Sequence, residues 1–205
     1  MVHIVPLGID CILAEILKEC QLRNISHPLD WVVSFGGIAQ LFENKFEDFI
    51  PTIKYKYPND EDFFWSEKYG IIFRHDDFPE KTETYNRRIQ RLLDILGNTN
   101  EPILFLRNGH VKYHHDEVEH NNILYTDDLK DIIDFESAIK KHFPNLIYRI
   151  ILFVRCTNCY LTDETYKVTS ENIKVFNVSG CTNTKYDYYY IKQIIQQEFI
   201  EFNKN

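Results

Sequence analysis

Apolar positions along this chain follow two rhythms. Short continuous runs occur at Val2–Leu7, Ile103–Leu106, 146–154 and Ile173–Val178, as buried strands require, and Gly70–Arg74 adds a shorter one. Between them lie stripes with helical spacing. Ile12, Leu13, Ile16, Leu17 and Cys20 mark a helix over 11–22, with Asp10 placed to cap it. Tyr85, Ile89, Leu92, Leu93 and Leu96 mark one over 80–97 that ends at Gly97. A third is expected over 127–142, stopped by Pro144. The last runs from Tyr188 to Phe202 on Ile191, Ile194, Ile195, Phe199 and Phe202.

Strands that alternate with helices predict a three-layer α/β fold with a mostly parallel sheet and helices on both faces. The pattern breaks once. From Asn24 to Asp30 the chain reads as a loop. Trp31 to Phe49 is aromatic-rich, interrupted by Gly36-Gly37, with Phe42, Phe46 and Phe49 spaced for a helical turn or two, and Pro51 closes it. Residues 52–68 then read as an irregular excursion, so the fold carries one aromatic-rich insertion.

Composition narrows the class. At 205 residues, 44% hydrophobic and 15% aromatic, the chain suffices for a single α/β domain over 1–205 with a substantial core. A net charge of −8 excludes a sequence-independent nucleic-acid binder, which needs a basic face against phosphates. No run is long enough to span a membrane and the first residues lack a signal-peptide pattern, so no membrane partner and a cytoplasmic location are expected. Five cysteines, an odd number, fit reduced thiols better than a disulfide framework.

In parallel α/β sheets, ligands gather beyond the carboxyl ends of the strands. Three polar segments follow strands here: Gly8-Ile9-Asp10-Cys11, Arg74-His75-Asp76-Asp77 and Arg107-Asn108-Gly109-His110. Brought to one rim, they supply a nucleophile, a base, an orienter and groups to hold a substrate oxygen. Cys11 stands where a strand passes through Gly8 into a helix, and the positive helix end favours its thiolate. The alternative for Cys11 is a small apolar filler under the helix. His75 is the candidate base, and either Asp76 or Asp30 the orienter. Gly8, Asp10, Trp31, Arg107, Asn108 and His110 are candidate substrate-binding residues. Trp31 serves equally as packing against a turn, and Arg107 as an arginine paired with an acid.

Other clusters read as structural. Arg87, Arg88 and Arg91 suit either an anionic ligand or a solvated helix face. His110, His114, His115, Asp116 and His120 are the one metal candidate, but they match none of the strong zinc signatures and read equally as a polar lid; no metal or cofactor is expected. Cys156 and Cys159, with Cys181 further on, read as structural thiols near a turn.

Several stretches together carry a resemblance. They are Val5-Pro6-Leu7-Gly8-Ile9-Asp10-Cys11, Leu22-Arg23-Asn24-Ile25-Ser26-His27-Pro28-Leu29-Asp30-Trp31, Tyr69-Gly70 leading to His75-Asp76, Tyr85 with Arg87-Arg88, and Phe105-Leu106-Arg107. Across roughly 2–155 the chain resembles a domain-of-unknown-function family described as putative papain-like cysteine peptidases, found in bacteria and large DNA viruses. The family usually has Phe where this chain has Leu29. The resemblance implies a Cys–His dyad, placed here on Cys11 and His75, and a peptide substrate. Papain-like enzymes carry the histidine on a mainly antiparallel sheet behind the nucleophile's helix. A strand running straight into Cys11 instead suits doubly wound hydrolases and transferases. The expected function is therefore a cysteine hydrolase working through a covalent thioester on a peptide or small acyl-bearing substrate. The alternatives are a thiol-dependent acyl- or sugar-modifying transferase with an anionic substrate, and an inactive ligand-binding or virion-associated module.

Overall fold

The computed structural model describes residues 2–8, 11–34, 36–56, 62–110, 119–120, 123–124, 128–155, 168–178 and 184–204. In chain order the elements are β1 (His3–Pro6), α1 (Ile12–Glu19), β2 (Val32–Ser34), α2 (Ile38–Glu43), β3 (Lys54–Lys56), β4 (Asp62–Ser66) and β5 (Ile71–Phe73). Then come α3 (Thr82–Asn98), β6 (Ile103–His110), β7 (Glu119–His120), β8 (Ile123–Leu124), α4 (Asp128–His142), β9 (Tyr148–Arg155), β10 (Ile173–Asn177) and α5 (Thr184–Phe202).

Four strands form a parallel sheet in the order β1-β6-β9-β10. Parallel sheets are covered on both faces, so their central strands are apolar throughout. Alternation divides these residues between two cores. Leu104, Leu106, Ile151 and Phe153 face α1 and α5, meeting Leu13, Ile16, Leu17, Ile191 and Ile195. Ile103, Phe105, Ile150, Leu152 and Val154 face the other way, into a core shared with α2, α3, α4 and the inserted segment. The three-layer α/β arrangement follows directly from that division.

The insertion is more regular than its sequence suggests. Within 52–68, read above as irregular, lie β3 and β4, which join β5 and β2 in an antiparallel sheet of order β2-β5-β4-β3. The short connection Glu67–Gly70 explains the direction: a parallel partner needs a crossover of about a dozen residues or more, an antiparallel one only a turn. The Gly70–Arg74 strand therefore belongs to this second sheet rather than the parallel one. Alternation is present in β4, where Phe64 and Ser66 are buried and Phe63 and Trp65 half-exposed, but charged neighbours break up the apolar run.

Aromatic rings join this insertion to the main sheet. Phe42 of α2 meets Phe135 of α4 edge-on at 4.8 Å between centroids and Phe46 at 5.0 Å, and Phe73 lies 5.3 Å from both Phe49 and Tyr85. Such edge-to-face pairs add to simple burial. The carboxylate of Asp131, on α4, accepts the Ile38 and Ala39 backbone N–H groups at 3.0 and 3.2 Å, so α4 caps α2 where α2 has no side-chain cap of its own. Burial pushes the Asp131 carboxyl above its ordinary pKa.

Two helix ends differ from expectation. Cys11 itself takes the N-cap position of α1, while Asp10 lies outside the described residues. α3 continues through Gly97 to Asn98 and ends at Thr99, which is extended; Gly97 therefore does not close the helix. Among the described residues no helix is long and apolar enough to cross a membrane.

Phe42→Ala should cost about 3–5 kcal/mol in urea unfolding, as expected for an aromatic side chain deleted from a packed core. Ile53→Ala, in the same insertion but 58% exposed, should stay within about 0.5 kcal/mol.

Candidate active site

Cys11 ends the passage from β1 to α1. Its backbone lies at φ −81° and ψ −6°, its carbonyl accepts the Glu15 N–H at 3.0 Å, and its side chain is half-buried. The first-turn amides of α1 point toward this end and cannot all be satisfied within the helix. They and the helix dipole favour negative charge on the sulfur. Cys20, at the opposite end of the same helix, provides a contrast: burial pushes its thiol pKa up.

Gly8 gives the chain its exit from β1. Its φ is +77°, and a Cβ there would sit 2.8 Å from Ser34 Oγ and 3.3 Å from Val32 Cγ2. Only glycine combines that backbone angle with so close an approach. The contact also places β2 of the second sheet against the end of β1.

Arg107 closes this junction from below. The side chain is fully buried and all five of its N–H donors are engaged. Nη1 donates to Leu7 O at 2.7 Å and to Ser34 Oγ; Nη2 donates to Ser34 O at 3.2 Å and Asp128 Oδ1 at 2.6 Å; Nε donates to the same Asp128 oxygen at 3.0 Å. No donor is left for a substrate anion. The expected binding residue is thus a buried tie between β1, β2 and the start of α4. Gly109 accommodates the same acid, since a Cβ there would fall 2.8 Å from Asp128 Cβ. Asn108, between them, is buried in the β6–β9 ladder opposite Phe153.

The His75 segment follows β5. Val32, which contacts Gly8, is the ladder partner of Phe73, and His75 comes two residues later. One cross-strand step therefore separates the strand end leading to Cys11 from the strand end leading to His75. His75 is exposed. Asp76 is held by α3: Tyr85 Oη donates to Asp76 Oδ2 at 2.7 Å. Burial, then that hydrogen bond, pushes the Tyr85 phenol far above its ordinary pKa, so it remains a donor.

Asp30 is buried and locally engaged. Its Oδ2 accepts Arg23 Nη2 at 2.5 Å, Arg23 Nε at 3.2 Å and the His27 backbone N–H at 2.9 Å, folding residues 23–30 into a tight loop. Its Oδ1 is buried with no hydrogen-bond partner among the described residues. The Arg23 guanidinium lies 5.7 Å from the Trp31 ring, so Trp31 packs half-buried beneath a cation. Arg91 reaches the Ser26 carbonyl, and Arg88 lies 5.3 Å from the Tyr85 ring. Both arginines thus have partners within the fold, whereas Arg87 is exposed.

His27, in the Leu22–Trp31 stretch, is a buried residue that the sequence pattern does not single out. Its pKa is pushed down to about 4, chiefly by burial and against the pull of Asp30. Its place before Pro28 is the only local hint, because burial is not visible in sequence. By its backbone His110 ends β6 opposite Arg155; its side chain, His114, His115, Asp116 and the three cysteines Cys156, Cys159 and Cys181 lie outside the described residues.

The fold is that of an α/β protein in which a candidate thiol, Cys11, stands at the N-cap of the helix that follows β1. The chain belongs to the family described as putative papain-like cysteine peptidase, whose model matches residues 2–159. No curated protein and no solved structure matches it.

The buried His27 gives stability a pH dependence of known sign. Its unfolded pKa is near 6.5 and its folded value about 4, so the unfolded chain binds more protons between them. Stability from this group is complete above the upper value and falls as pH drops, by roughly 2–3 kcal/mol at pH 4.5. Urea unfolding of wild type and His27→Gln at pH 7 and 4.5 should show a smaller acid loss in the variant by roughly that amount; equal losses would assign the acid sensitivity to other groups.

Proposed function

We propose that this protein is a cysteine hydrolase with Cys11 as nucleophile and His75 as general acid and base, acting on a peptide or a small acyl-bearing substrate. The observation that carries the proposal is the position of Cys11 at the N-cap of an amphipathic helix, at the carboxyl end of β1. Family membership supports the reaction class.

In the proposed reaction the neutral His75 imidazole takes the Cys11 proton and the thiolate attacks the substrate carbonyl carbon. First-turn amides of α1 suit the oxygen that becomes negative. The bond from that carbon to nitrogen, oxygen or sulfur then breaks, His75 returns the proton to the leaving group, and a thioester remains on Cys11. Water, deprotonated by the same imidazole, attacks the thioester, releasing the acid and restoring the thiol. Tyr85 holds the adjacent Asp76 from α3, which steadies the His75 turn.

Arg107 has no donor left for an anionic group, which counts against the transferase reading. A catalytically silent binding module predicts an unactivated thiol.

Mass-spectrometric mapping of iodoacetamide labelling against pH separates these outcomes. Cys11 should label with a midpoint about one to two units below an ordinary thiol's 8.5, while Cys20 labels only at higher pH. His75→Ala should remove the fast labelling below pH 7, and Cys11→Ser should abolish turnover in a panel of fluorogenic peptide and thioester substrates. Labelling of Cys11 no faster than Cys20 would sink the hydrolase reading and leave the rim as a binding site.

A further inference from the structure

We infer that Ser34 and Arg107 are positioning residues for the Cys11 centre: together they lock the end of β1 to the second sheet, and the lock sets the thiol's reactivity. This rests on Cys11 being the nucleophile. Both act through the backbone at the end of β1.

The end of β1 is held from two directions. Leu7 N–H donates to Leu106 O at 2.8 Å, the last step of the parallel ladder, and Leu7 O accepts Arg107 Nη1 at 2.7 Å. The next residue, Gly8, turns at φ +77° with Ser34 Oγ filling the space where a side chain would stand. Ser34 is fully buried and gives Arg107 two acceptors, its hydroxyl and its carbonyl. The same guanidinium is anchored to Asp128 at the first residue of α4. Cys11 follows Gly8 by only three residues, so the point and direction at which the chain leaves Gly8 govern where α1 begins. The remainder of α1 is fixed independently by Leu13, Ile16 and Leu17 in the opposite core.

An anchored exit on one side and an anchored helix on the other leave Cys11 little latitude relative to the first-turn amides that favour its thiolate. Since helix-end effects fall off within a turn, a small change in the exit is enough to alter the thiol pKa. Ser34 also pairs with Ile71 of β5, so the strand that carries the His75 turn is registered by the same residue.

Ser34→Ala tests the lock with least disturbance, since it deletes one oxygen, whereas replacing Arg107 would strand the buried Asp128 charge. Tyr148→Phe is the control: it removes a buried hydrogen bond to Glu136 at the opposite end of the sheet. Cys11 labelling would be followed against pH, alongside thermal melting, in wild type and both variants. The lock predicts that Ser34→Ala raises the Cys11 midpoint by about one unit, lowering the labelling rate near pH 6.5 about tenfold, while Tyr148→Phe lowers the melting temperature without moving the midpoint. A low wild-type midpoint unchanged in Ser34→Ala overturns the lock and leaves Cys11 as nucleophile. Equal upward shifts in both variants also overturn it, making the effect one of general stability. An ordinary wild-type midpoint overturns both the lock and the nucleophile.

Discussion

One buried guanidinium holds the two halves of this structure together. Removing Arg107 from water carries a large desolvation penalty, which is offset only if each donor finds a well-placed acceptor. All five do, and the acceptors come from Leu7 just past β1, from β2 and from α4. Since a single side chain must satisfy all three at once, the relative placement of the two sheets and of α4 is tightly specified. Hydrophobic contact between the same elements would tolerate sliding; directional hydrogen bonds to a planar cation do not.

Around that tie the molecule combines two architectures. The parallel sheet with α1 and α5 on one face and α3 and α4 on the other is a doubly covered α/β layer, and it presents the cysteine on a strand–turn–helix. The inserted antiparallel sheet contributes the turn bearing His75. The His75 segment follows an antiparallel strand, whereas the helix that begins at Cys11 follows a strand of the parallel sheet.

The polar residues near the rim divide by what satisfies them. Arg107, Asp30 and Arg91 are engaged by neighbouring groups and build the scaffold; Cys11 and His75 are more accessible. Tyr85 shares both roles, since its ring lies in the aromatic core while its hydroxyl reaches Asp76. A group held by several protein partners has little capacity left for a substrate.

Much of the framework was legible in the chain because periodicity reflects burial directly. The apolar runs of β1, β6, β9 and β10 and the stripes of α1, α3 and α4 are each demanded by the face they bury, and a cysteine just after a strand and a glycine indicates a helix start. What resisted reading was whatever depends on distant partners. β2, β3 and β4 are short, and charged neighbours interrupt their pattern. Arg107 and Asp128 lie far apart in sequence, so the same arginine reads as a ligand-binding cation until its acceptors are seen. His27 looks like any loop histidine until its burial is known. Local sequence therefore specifies which segments become helix or strand and where a thiol meets a helix end. Long-range packing selects which polar groups are neutralised inside and which remain for chemistry, because charge satisfaction is a property of neighbours in space rather than along the chain.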